Sequence, residues 1–80
     1  MADEAVESQV RAILSEVSQG REVPDRDEPL TDLGFDSLTK VEAIARIEQG
    51  FGIRFGEADI SGTNFNTLGT IVQLVQRRLP

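Results

Sequence analysis

Three stretches of this chain place apolar residues at helical spacing, and no two stretches could pair as strands; that pattern restricts the fold more than any other feature. Val6, Val10, Ile13, Leu14 and Val17 stand at i, i+4, i+7, i+8 and i+11. They form one stripe of an amphipathic helix whose intervening Glu, Gln, Arg and Ser residues face water, and Gly20 predicts its stop. Leu68, Ile71, Val72, Val75 and Leu79 repeat at i, i+3, i+4, i+7 and i+11. Asn66 or Thr67 caps that last helix, Phe65 packs across its first turn, and Arg77 and Arg78 complement the dipole in its last turn.

Between them a helix is predicted from Ser37 to near Gln49, capped by Asp36 and terminated by Gly50 and Gly52. At ~100° per residue, Ala43, Ile44, Ile47 and Phe51 share one arc, with Leu38, Val41 and Ala45 on the arc beside it. The two arcs exceed one core stripe. Either the helix is central and touches two neighbours, or Leu38, Val41 and Ala45 form a partly exposed flank for visiting proteins. Phe51 to Phe55 alternates like a strand but has no partner. Gly50 to Gly56 is therefore read as loop with Ile53 and Phe55 inward, Glu57 to Ile60 as one helical turn at most, and Ser61 to Thr63 as a connection. Gln19 to Phe35, with Pro24, Pro29 and five acids between Glu22 and Asp32, reads as a long functional loop pinned by Leu30, Leu33 and Phe35. The expected fold is all-α: a small four-helix bundle of three main helices and one short one, in a single domain over residues 1–80.

Composition narrows function by exclusion. Without His or Cys, the chain lacks the side chain that titrates near neutrality, disulfides and thiolate metal sites. Self-sufficient nucleophilic catalysis by a serine needs a neighbouring base and a group orienting it, which so small a chain does not readily supply. Fourteen acids against eight bases give a net charge of −6, which disfavours nucleic acid and anionic membrane and favours basic protein surfaces. The acidity precedes Ser37: residues 1–36 hold ten acids and three bases, residues 37–80 four and five. No apolar run approaches the ~20 residues of a membrane span. Met1 to Gln9 carry three acids and no base, unlike a secretory or transit signal; the expected location is the cytoplasm.

Leu33-Gly34-Phe35-Asp36-Ser37-Leu38, followed by Val41-Glu42, resembles the prosthetic-group site of acyl carrier proteins. The likeness extends over nearly the whole chain. It takes in the acidic first helix, the loop closing with Leu30-Thr31-Asp32-Leu33-Gly34, Phe51-Gly52-Ile53, and Phe65-Asn66-Thr67-Leu68 opening the last helix. It implies that Ser37 carries 4′-phosphopantetheine, that Asp36 helps position the modifying enzyme's metal, and that Leu38 belongs to the same site. It also implies partner docking through Val41, Glu42, Ala45 and Glu48. Cargo would face Ile44, Ile47, Phe51, Ile60 and Leu68. The implied partners are a phosphopantetheinyl transferase and acyl-loading, condensing and acyl-transfer enzymes, acting on a monomer that has no catalytic or metal site of its own. An anionic linker on Ser37 would suit the positive end of the helix.

In many fatty-acid-synthesis carriers the second helix is strongly acidic, whereas here Lys40 and Arg46 balance Glu42 and Glu48, and Thr39 and Gln49 replace common acids. A carrier of a polyketide or hybrid polyketide–peptide pathway is therefore expected. Phe35, where peptidyl carriers usually have Gly, favours an acyl cargo over the aminoacyl alternative. Two other classes compete. Ser37-Leu38-Thr39-Lys40 has the Ser-x-x-Lys spacing of serine acyl-transfer enzymes, without a recognisable oxyanion hole or large cleft. A helical interaction module lacking a prosthetic group would explain the patterning but not the serine.

Overall fold

The structure is a computed structural model that describes residues 3–33, 36–61 and 63–79, excluding the side chains of Asp32 and Leu33. Among the described residues four α-helices follow one another: α1 Asp3–Val17, α2 Ser37–Phe51, α3 Glu57–Ile60 and α4 Leu68–Arg78. The expected all-α bundle is observed.

In α1, Val6, Val10, Leu14 and Val17 are buried, and Ile13 packs at the edge of the same core. The helix packs against both α2 and α4. Gln19 and Gly20 both take positive φ, 64° and 85°, and the Gly20 N–H returns to the Ser15 carbonyl at 2.7 Å, so the chain turns away where predicted.

The long connection is more ordered than its composition suggests. It includes a 3₁₀ turn at Leu30–Leu33, and Val23 and Leu30 are buried in the core; of the other expected anchors, Phe35 and the Leu33 side chain lie outside the described residues. Backbone bonds tie it to the start of α4: Leu30 N–H to the Asn66 carbonyl at 2.8 Å and Gly69 N–H to the Arg26 carbonyl at 3.0 Å. The second favours a glycine, because a Cβ at position 69 would stand 3.1 Å from the Arg26 oxygen and the connection would have to give by a few tenths of an ångström. Ion pairs hold the other side. Arg26 engages Asp3 and Glu7, and Arg11 donates to the Val23 carbonyl at 3.0 Å. Part of the polar face of α1 therefore clamps this loop instead of facing only water.

Helix α2 runs two residues past the predicted end. Gly50 stays helical, its carbonyl accepting from Gln9 Nε2 at 3.0 Å, and the stop is made by Gly52 alone at φ 66°. Beyond it Ile53 and Phe55 are buried, as expected, and the Glu48 carboxylate accepts the Phe55 N–H at 2.8 Å. Helix α4 is capped by Thr67, whose side chain accepts from Thr70 N–H. It buries Leu68, Gly69, Ile71, Val72, Leu74 and Val75, a wider arc than the predicted stripe, which omitted Leu74. Arg78 does more than complement the dipole: it reaches back to the Asp59 carboxylate at 2.6 Å and fastens the short α3 to the end of α4.

Candidate functional site

Asp36 sits just before α2 in extended backbone, φ −82° and ψ −175°, and its carboxylate accepts the Thr39 N–H at 2.8 Å. That bond supplies a partner to an N–H that the helix itself leaves free. It also holds the Asp36 carboxyl below the usual carboxylate range, so the group is ionised at neutral pH.

Ser37 is the first residue of α2 and is exposed. Its neighbours differ sharply from the core side of the same helix. Leu38 is 77% and Val41 62% exposed, and Ala45 is exposed too, while Ala43, Ile44 and Ile47 are buried. Of the two arrangements open for α2, the structure has the core face with an exposed apolar flank. Two other serine hydroxyls are taken up locally: Ser18 is buried and donates to the Leu14 carbonyl at 2.7 Å, and Ser61 donates to the Glu57 carbonyl at 2.8 Å.

Beside Ser37 lies a depression of about 200 Å³ between the end of the long connection and the residues preceding α4. Leu30 and Thr31 line one wall, Phe65 and Asn66 another, and Lys40 stands on the α2 side. The pinning of the connection to the start of α4 brings these walls together. An exposed hydroxyl at the positive end of a fifteen-residue helix, opening on a depression of mixed polarity, fits a phosphodiester and the start of a flexible arm.

The sequence profile described as "Phosphopantetheine attachment site" matches residues 8–76. The chain belongs to the acyl carrier protein family. It is 32% identical over 79 residues to the acyl carrier protein of Thermotoga maritima, an alignment that covers 95% of this chain and 94% of that one. No solved structure is a significant match. Carriers of this family bear 4′-phosphopantetheine covalently on a serine and are generally not catalysts themselves. Membership implies interaction with a phosphopantetheinyl transferase and with biosynthetic enzymes. Among the described residues, no helix is long and apolar enough to cross a membrane.

The structure separates the remaining predicted site residues into two groups. Ile44, Ile47 and Leu68 are in the core, with Phe51 and Ile60 packed at its margin. Of the docking residues, Glu42 is already paired with Arg46 at 3.1 Å, and Arg46 also reaches Glu16 at 2.9 Å. Glu48 is half-buried and occupied with Phe55. Phe65 and its neighbour Lys40 were missed as site residues, because their proximity to Ser37 depends on how the loop before α4 folds back.

Proposed function

We propose that Ser37 is the attachment point of the phosphopantetheine arm and that the chain, as one discrete cytoplasmic carrier domain over residues 1–80 acting as a monomer, delivers acyl intermediates to the enzymes of a polyketide or hybrid polyketide–peptide pathway. The observation that carries this reading is the exposure of Ser37 at the start of α2 next to exposed Leu38 and Val41. The bound arm supplies a terminal thiol that holds cargo as a thioester. Asp36, ionised and fixed by the Thr39 N–H, presents a carboxylate to the modifying enzyme and its metal. Leu38, Val41 and Ala45 form the docking surface. With Glu42 neutralised by Arg46, recognition leans on apolar contact more than on charge, which favours a specialised pathway over housekeeping fatty-acid synthesis. Cargo turns toward Ile44, Ile47, Phe51, Ile60 and Leu68 when the helices part.

Intact-mass measurement of protein made beside an active transferase tests the attachment. Wild type gains the mass of the arm and Ser37→Ala does not; a wild-type chain that stays at its unmodified mass, or a Ser37→Ala variant that gains the arm, refutes it. Offering the loaded carrier acyl and aminoacyl donors with their loading enzymes then separates the acyl from the peptidyl pathway.

A further inference from the structure

Lys40 follows Ser37 by one helical turn and is half-buried, with its ammonium 5.8 Å from the centroid of the Phe65 ring. That ring is itself buried and meets Phe55 edge-on at 5.5 Å, so it is a fixed platform. Ser37, Lys40 and Phe65 border the same depression. The next cation along α2, Arg46, is committed to Glu42 and Glu16; Lys40 pairs with no carboxylate among the described residues and rests on a π face instead.

We propose that Lys40 is the positioning residue for the phosphodiester that joins the arm to Ser37, its ammonium leaving the Phe65 ring to become the counter-charge of that anion. The inference rests on Ser37 being the attachment point. Side chains three apart on a helix are neighbours, with about 5–6 Å between Cβ atoms, and the four-carbon lysine stem covers that separation. The local field calls for such a cation. The ionised Asp36 adjoins Ser37, and the Thr39 N–H at this helix end is already taken by its carboxylate, so the positive end of the dipole is partly answered before the phosphodiester arrives. A phosphate oxygen offers the ammonium both a full counter-charge and a charge-assisted hydrogen bond, where the ring offers only its quadrupole, so the exchange of partners is favourable. The ring face that Lys40 vacates then lines the depression alongside the arm.

The test compares wild type, Lys40→Arg and Lys40→Gln, each before and after loading from coenzyme A by a transferase, with intact mass confirming attachment. In the unloaded wild type the Lys40 CεH₂ protons are shielded by the Phe65 ring, and loading moves them downfield. Lys40→Gln lowers the folding equilibrium constant of the loaded protein about two- to fivefold more than that of the unloaded protein, as expected for an exposed ion pair. Lys40→Arg retains most of the difference, and added salt shrinks it. Full loading with unmoved Lys40 resonances and equal effects of Lys40→Gln on both forms overturns the assignment while leaving Ser37 as the anchor. A wild-type mass that never changes overturns both.

Discussion

Truncating Leu38 and Ile47 in parallel separates the two faces of α2, because the same kind of change is applied to side chains in opposite environments. Leu38 is 77% exposed and Ile47 fully buried. Complete burial of such a side chain contributes about 1.5–3 kcal/mol, so Leu38, which hides less than a quarter of its surface, contributes about 0.3–0.7 kcal/mol. Part of that is recovered in Leu38→Ala because alanine is the better helix former. The variant should lie within about 0.5 kcal/mol of wild type, a melting shift of no more than ~4 °C for a domain of this size. Ile47→Val leaves a small void and costs about 0.5–1.5 kcal/mol, or ~2–12 °C. Ile47→Ala costs about 2–5 kcal/mol. A domain of 80 residues has about 4–12 kcal/mol in total, which makes the valine the usable variant. Denaturant and thermal unfolding followed by far-UV circular dichroism give the stabilities, and the rate at which a transferase or pathway enzyme accepts each carrier gives the docking effect. Leu38→Ala should slow partner turnover at nearly unchanged stability, and Ile47→Val should do the reverse. Leu38→Ala as destabilising as Ile47→Val, with partner rates unaffected, would show that Leu38 is a structural residue and that the exposed flank is not a docking surface.

The remaining predictions concern charge. Asp59 is held below its ordinary value of 3.8 first by Arg78 and then by the Gly56 N–H; a lowered folded pKa means its contribution is full above that value and is lost as pH falls through the folded one. The stability gap between wild type and Asp59→Asn should therefore be constant near neutrality and narrow below about pH 4, and a gap that persists unchanged into acid would show that the Arg78 pair does not stabilise the fold. Reversal of charge at Glu42 and Glu48 should not be equivalent. Glu42→Lys breaks an exposed pair with Arg46 and changes stability by about 0.5 kcal/mol or less, so a slower partner reaction reports docking directly. Glu48→Lys strips the Phe55 N–H of its acceptor and costs about 1–2 kcal/mol, which chemical denaturation detects; equal stabilities for the two variants would contradict that distinction.

Local patterning determined most of this protein. Apolar residues at helical spacing specify α1, α2 and α4 whatever surrounds them, since a stripe that cannot be buried as a strand must be buried as a helix. Asp36 announces one capped start and the pair Asn66-Thr67 the other, because capping acts within three residues, and the structure chooses Thr67. Phe65 and the residues around Ser37 were legible as a resemblance, and the two arcs of α2 as alternatives. What tertiary structure alone decided involves partners distant in sequence. Which arc of α2 faces solvent follows from its packing on α1. The long acidic connection looked irregular because its order comes from Arg26, Leu30 and Gly69 meeting across some forty residues, not from any local propensity. Arg78 read as a dipole partner until α3 placed Asp59 against it. Lys40 read as a balancing charge and as the lysine of a Ser-x-x-Lys spacing until the loop before α4 put Phe65 beneath it. Short-range hydrogen bonding and periodicity are written in neighbouring residues, whereas packing and charge pairing are settled only when remote segments meet.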